Sequence, residues 1–303
     1  MLTLKELIDQ LLSVRKLPSL SPIVLMLEQS LDQEEPDIQK ISLIMGDDPS
    51  ITSMVLKLAN SVIYGGRRTI ATVQDAIVRL GLKEIRKMVF DLSVVKFLLE
   101  RPGGLIDPVK FWEHSIGVAY CMEVIEEMAH AVIADGSQAH VAGLLHDIGR
   151  WISATYLPEI YQKVASGETG KKDIIYVERD VIGLDHAQIG AAILERWGLP
   201  LNIVHCVRFH HEPEFSLRQE HKMVHLTFLA DNICRNNRIG DVGEGISASL
   251  KEKDWEFIDL SSEKEAFILE ELKLRLKYSE VLLSIGGLEN KIQSSSNHNG
   301  TGK

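Results

Sequence analysis

A histidine and an aspartate stand side by side at positions 146 and 147, inside the apolar stretch AHVAGLLHDIGRW from Ala139 to Trp151. The spacing of its apolar residues predicts a buried helical segment. A charge buried there is costly unless something pairs with it. The leading partner is one or more divalent metals, provided the rest of the chain supplies further ligands. His114, His186, His210, His211 and Asp231 are the residues able to do so.

Each of these lies at a position that local pattern predicts to be inward-facing or at a helix cap. In FWEHSIGVAYCMEVI, the residues Phe111, His114, Val118, Cys121 and Ile125 recur at helical spacing, so His114 shares the apolar face. In DHAQIGAAILERWG, Asp185 is a good N-cap, which puts His186 in a first turn beside free backbone donors. In LPLNIVHCVRFHH, Pro200 starts a helix whose Ile203 and Val207 stripe continues to His210 and His211. Asp231 is an acid among the apolar residues of HLTFLADNICR.

Singly, a histidine on an apolar helix face is most often a core residue. The set changes the weighing. Four histidines beside the His146-Asp147 pair, with Asp231, fall on separate predicted helices, the distribution by which a helical bundle builds a dimetal centre in its core. Imidazole and carboxylate together suit iron, manganese, zinc or nickel better than calcium or magnesium. His130, His140, His205, His221, His225 and His298 lack such company and read as surface or structural residues, although the helix of His205 also carries His210 and His211.

The elements that must position these groups are nearly all helical by pattern. Thr3 with Glu6 predicts a capping box for a first helix, and the Leu17 to Pro22 stretch breaks and restarts the chain. Asp48-Pro49 opens a helix expected to end near Gly65-Gly66. Thr72 and Asp75 cap the next, Gly81 stops it, and LKEIRKMVFDLSVVKFLL resumes. Arg101 to Gly104 is the best internal boundary, dividing residues 1–104 from a second helical part at 105–285. GETGKKD reads as a solvated loop, and residues 286–303 as a disordered tail. With no period-two stretch and no hairpin signal, the fold class is all-α, a helical bundle.

Composition sets bounds on function. The chain has 303 residues, 45% of them apolar, enough for one large or two modest domains. Cys121, Cys206 and Cys234 are far apart with no C-x-x-C spacing, which argues for a reducing cytoplasm and against a disulfide framework. No signal peptide or membrane span is expected. A net charge of −10 disfavours nucleic acid as a general partner. A local excess of cations runs from Lys57 to Lys96, including Arg67, Arg68, Arg79, Lys83, Arg86 and Lys87. It reads first as a solvated helix face, and alternatively as a docking surface for an acidic partner or a phosphate ligand.

At these residues the sequence resembles the HD superfamily of metal-dependent phosphohydrolases, and within it the HDOD branch of bacterial signalling domains. The likeness runs from about Leu17 to about Ile233 and rests on LPSLSPIVLMLEQSL, DDPSITSMVLKLANSVIYG, TVQDAIVRLGLKEIRKMV, FWEHSIGVA, GLLHDIGR, GLDHAQIGAAILERWGLP and the HHEP beginning at His210. It implies an N-terminal HDOD helical subdomain followed by an HD-type helical subdomain. Many HDOD proteins have lost the metal ligands, whereas here the ligand order is similar to that of the HD-GYP phosphodiesterases. The resemblance implies one metal held by His114, His146, Asp147 and Asp231, and a second held by His186, His210 and His211, with Asp147 bridging. Such a pair, roughly 3.5 to 4 Å apart, can share a hydroxide aimed at phosphorus.

The departures limit what carries over. EPEFSLRQE follows the two histidines where HD-GYP proteins continue to Gly-Tyr-Pro, which makes cyclic di-GMP a doubtful substrate. Arg150 replaces the usual lysine, keeping a cation but with forked geometry, and with Asp147 it is the expected catalytic residue. Lys110 stands where some members carry a further metal-binding glutamate, which argues against a third metal. The expected function is a signalling or regulatory module with a protein partner and a retained dinuclear site, its metals Fe or Mn by preference and Ni or Zn otherwise. The alternative is an active phosphohydrolase or phosphodiesterase acting on a nucleotide or other phosphate ester. Oxygen chemistry at a diiron centre follows only from ligand type.

Overall fold

Aspartate and threonine caps start the first helices where the sequence places them. The computed structural model describes residues 36–61, 64, 68–100, 105–129, 136–166, 173–216, 221–240 and 247–286, with Val24, Met26, Leu27 and Ser30. The expectations for Thr3 and Glu6, the Leu17 to Pro22 break, the Arg101 to Gly104 boundary, most of GETGKKD and the tail after Gly286 lie outside the described residues. Asp37 accepts from the amides of Gln39 and Lys40 to begin α1 (Ile38–Gly46). Asp48 does the same for Ser50 and Ile51 at the head of α2 (Pro49–Ala59), with proline at the first position. Thr72 accepts from Asp75 to open α3 (Val73–Leu80), and Gly81, at φ 83°, stops it before α4 (Leu82–Glu100).

These four helices pack on one another and bury Ile41, Met45, Ile51, Val55, Leu58 and Ile77. α2 ends at Ala59 rather than near Gly65, because Asn60 leaves the helix to exchange hydrogen bonds with Ile70, its Oδ1 accepting from the Ile70 amide and its Nδ2 donating to the Ile70 carbonyl, both at 2.8 Å. The cations between Lys57 and Lys96 do not form one free face. Arg86 is buried, Lys87 pairs with Glu84 at 3.0 Å, and Lys96 lies 3.4 Å from Asp48.

The remaining elements are α5 (Pro108–Ala129), α6 (Gly136–Leu145), α7 (Ile148–Tyr156), α8 (Pro158–Ala165), α9 (Ile174–Ile182), α10 (His186–Arg196), α11 (Leu201–Phe209), a 3-10 turn at Pro213–Phe215, α12 (His221–Asn236), α13 (Glu252–Glu256) and α14 (Glu265–Gly286). There is no strand among the described residues, so the fold is all-α. By compactness the chain divides into two units. One takes in α1 to α4 with the chain after Leu276, the other α5 to α13 with the first half of α14.

In the second unit α5 packs against α6 and α12, α7 against α10, and α11 against α6, α10 and α12. α5 is buried on nearly all sides from Phe111 to Ile125, as a helix at the centre of a bundle must be. Two of the helix contacts are close enough to exclude side chains. A Cβ on Gly149 would lie 2.0 Å from the carbonyl oxygen of His186 and 2.7 Å from the amide of Gly190, so α7 and α10 meet backbone to backbone. A Cβ on Gly143 would lie 2.7 Å from the Cα of Ala119, bringing α6 equally close to α5.

One local expectation is corrected. His146 and Asp147 do not sit inside a continuous helix. α6 stops at Leu145, α7 starts at Ile148, and Asp147 occupies the turn between them at φ −99°, ψ 6°. That backbone region is sparsely populated and recurs at functional sites. The turn frees both side chains to leave their helices in the same direction, which two neighbours within one helix cannot do.

Candidate metal centre

The turn after α6 delivers His146 and Asp147, α5 delivers His114, α10 delivers His186 as its first residue, the end of α11 delivers His210 and His211, and α12 delivers Asp231. Asp185 caps α10 with a complete capping box on Gln188, which fixes the first turn that carries His186. All seven predicted ligand residues come together in the folded chain, as two groups. Asp147, His186, His210 and His211 form one, and His114, His146 and Asp231 the other, with the donor atoms of each group within 4.8 Å of one another.

Asp147 belongs to both neighbourhoods. Its Oδ1 lies 3.0 Å from His186 Nε2, 3.6 Å from His210 Nε2 and 3.7 Å from His146 Nε2. Asp231 Oδ1 is 3.2 Å from His114 Nε2 and 3.7 Å from His146 Nε2. His186 Nε2 is 3.3 Å from His210 Nε2 and 3.0 Å from His211 Nε2.

The outer nitrogens show which way the rings are used. His114 Nδ1 faces the carbonyl oxygen of Ile239 at 3.2 Å, His146 Nδ1 that of Gly143 at 2.7 Å, and His210 Nδ1 that of Val207 at 2.7 Å. A carbonyl only accepts, so each Nδ1 donates, and each neutral ring turns an Nε2 lone pair inward. His186 Nδ1 donates to Glu178 Oε2 at 2.7 Å, and the same oxygen accepts from the His186 amide at 2.8 Å. Gly240, at φ 61°, lets the chain after α12 press against α5, where a Cβ would lie 2.2 Å from the His114 amide, and so sets the Ile239 carbonyl in place.

Lone pairs and carboxylate oxygens thus converge on a buried space. His146 Nε2 is buried there with no hydrogen-bond partner. The buried carboxylates Asp147 and Asp231 face the guanidiniums of Arg150 and Arg235, and buried Glu178 faces His186. Arg150 Nη1 donates to Asp147 Oδ2 at 3.2 Å, and Arg235 Nη1 is 3.5 Å from Asp231 Oδ2. Such a collection of acceptors is stable when cations sit among them, and the donor set fits metal ions.

The electrostatics point the same way. Burial alone would raise the Asp147 carboxyl, but His146, His186 and Arg150 hold it well below the usual range. Burial would likewise raise Asp231, and Arg235, His114 and His146 lower it instead. Burial pushes His146 down to about 4, against the pull of Asp147 and Asp231. Burial with the neighbouring His210 and His186 also lowers His211. His186 behaves oppositely: burial opposes its charge, yet Glu178 and Asp147 raise it well above the ordinary range, so the pocket of potential around its Nε2 favours positive charge.

Several members of this arrangement had no recognised signal in the sequence. Glu178 is hidden in the charged run Glu178-Arg179-Asp180, although it is the one of the three that is fully buried. Arg235 stands four residues after Asp231, the helical spacing that marks an ion pair. Arg179 donates through Nε to Asp185 at 2.7 Å and through Nη1 and Nη2 to Glu212 at 3.0 and 2.6 Å, tying the cap of α10 to the segment that follows His211. Of the other histidines, His140 is buried against Glu123 at 3.1 Å and His225 stacks on Phe257.

The HDOD domain family matches residues 17–213, well over half the chain. The chain belongs to the HDOD family. Among solved structures, an HDOD domain protein of unknown function from Geobacter sulfurreducens is similar over 93% of this chain and 97% of its own, at 25% identity and a TM-score of 0.77. Two others share the HDOD protein's fold. A Marinobacter aquaeolei VT8 protein described as a signal transduction protein matches 93% of this chain and 61% of its own at 21% identity and TM-score 0.74. A Shewanella amazonensis SB2B protein described as a phosphohydrolase matches 91% and 97% at 20% identity and TM-score 0.63. An uncharacterized protein of Treponema pallidum (strain Nichols) is 23% identical over 198 residues, and the chain spans 37% of its length. No helix among the described residues is long and apolar enough to cross a membrane.

Proposed function

We propose that this HDOD protein is a signalling module whose HD-type unit holds two divalent transition metals and hydrolyses a phosphate ester. The observation that carries the reading is the convergence of seven ligands in two groups that meet at Asp147 Oδ1. His114, His146, Asp147 and Asp231 would hold one ion, and His186, His210 and His211 the other, with Asp147 shared. Iron or manganese is favoured by the mixture of imidazole and carboxylate, with nickel or zinc as further options. When bound, such a pair supplies an acidified water and a counter-charge for phosphoryl oxygens.

The protein's own groups hold and orient. Glu178 fixes the ring of His186 through its Nδ1 proton, and backbone carbonyls do the same for His114, His146 and His210. Arg150 is 1% exposed and engages Asp147 Oδ2, so it acts as a positioning residue for the shared carboxylate rather than as a contact for substrate. Asp147 is the residue that no replacement restores. The partner in signalling is a protein, the location is the cytoplasm, and three buried free cysteines accord with a reducing compartment.

Metal analysis of the purified chain followed by a screen of phosphomonoesters, phosphodiesters and cyclic dinucleotides with added Fe, Mn or Ni tests the proposal. About two metals per chain and turnover abolished by Asp147→Ala are the expected results. Absence of transition metal from the full-length chain under both aerobic and reducing preparation would overturn it. A second reading draws on the likeness to the Marinobacter protein: the metals serve structure or sensing alone, and a silent screen with both metals present would favour it.

A further inference from the structure

Access to the centre is one-sided. Six of the seven ligand side chains are between 0 and 2% exposed, and only His211 reaches 7%. On that side lies a cavity of about 470 Å³, within the range of roughly 300 to 1,000 Å³ usual for small-molecule sites. His211 lines it, together with Phe228 and His225 of α12 and with Ala248, Ser249, Lys251, Lys253 and Asp254.

The walls are chemically distinct. Phe228 offers an aromatic surface, and His225 is held by stacking on Phe257 with ring centroids 3.8 Å apart. Lys251 and Lys253 are exposed lining residues, and among the described residues neither ammonium is paired with a carboxylate. Asp254 and Glu214 also line the cavity, so it is not a general anion trap, and Asp254 already accepts from the Lys251 amide at 2.8 Å. Apart from His211 and Pro213, every lining residue lies beyond residue 213, where the family match ends.

We infer that this cavity is the subsite for the organic portion of a phosphate ester with a flat aromatic group, placed so that the phosphoryl group reaches the centre past His211. Phe228 and His225 flank the ring, Glu214 and Asp254 accept from its N–H groups, and Lys251 and Lys253 draw the anion in. The inference rests on the proposed metal centre and adds what selects its substrate. Selection then belongs to α12 and the Ala248 to Asp254 segment, beyond residue 213 where the family match ends.

The test uses the full-length chain with its metal content measured, and compares binding of phenyl phosphate with that of inorganic phosphate by calorimetry. Phenyl phosphate should bind about tenfold more tightly, and Phe228→Ala should erase that advantage. Lys251→Ala with Lys253→Ala should weaken both probes about threefold. Ser249→Trp, made at an exposed position on the wall, should block phenyl phosphate while leaving metal content unchanged. Equal affinity for the two probes, or indifference to Ser249→Trp in a metal-loaded chain that hydrolyses p-nitrophenyl phosphate, overturns the subsite and leaves the hydrolase standing. Discrimination without any turnover supports the subsite and removes the hydrolase. A chain that takes up no metal overturns both.

Discussion

Glu178 gives both of its roles to one residue, accepting the ring proton and the amide proton of His186 on a single oxygen. Partners of this kind typically contribute 10- to 100-fold to metal affinity, so Glu178→Gln should weaken binding by about that factor, read by competition with a chromophoric chelator. The fold should survive, because the amide keeps the shape. A second residue prediction concerns Cys206, whose thiol burial pushes up to about 12 from an ordinary 9.0. Its neutral form is favoured in the folded chain, so its contribution to stability is fully present below about pH 9 and is lost as the pH climbs toward 12. At pH 8 the native chain should leave Cys206 unmodified by Ellman's reagent over hours, and denaturant should expose it within minutes. The histidines and aspartates that the fold brings together were legible because a histidine on an apolar stripe is visible in a pattern. Glu178 was not, because a buried acid between Val177 and Arg179 looks like part of a solvated charge run until the neighbouring helix is in place.

Among the helices, glycines decide how near the ligands come. Gly149→Ala would drive a methyl group to 2.0 Å from the His186 carbonyl, and backbone on both sides leaves it nowhere to go. The expected cost is about 3 kcal/mol or more, with loss of metal, measured by denaturant unfolding and metal analysis. Gly81→Ala provides the contrast: nothing lies within 4 Å, but φ 83° with ψ 157° is backbone that only glycine adopts readily, so the cost should be about 1 to 3 kcal/mol with metal content unchanged. Helix starts were readable from Asp48-Pro49, Thr72 and Asp185, since a cap is a local hydrogen-bond requirement. The break at His146-Asp147 was not, since the apolar pattern runs unbroken through it and only the packing of α6 and α7 against different neighbours opens the turn.

For the molecule as a whole, the proposed ligands span positions 114 to 231, so the proposed centre forms only when five separate segments have assembled. Metal bound to the folded form alone should stabilise it by about 2.7 kcal/mol at a hundred times its dissociation constant. That corresponds to a rise in Tm of roughly 5 to 10 °C, reversed by chelation. Trp112, Trp151, Trp197 and Trp255 all lie in the unit that carries the centre, so tryptophan fluorescence follows that unit without interference from the other. The backbone contact of Gly149 with His186 and Gly190 has a mechanical meaning for such a protein. At Gly149 no side chain cushions the contact, so a movement of α7 there pushes directly on the backbone of α10. Whatever displaces Asp147 or His186 by a fraction of an ångström is transmitted to a second helix undamped, as through meshed gears, which is what a sensor needs if the state of its centre is to be felt at its surface.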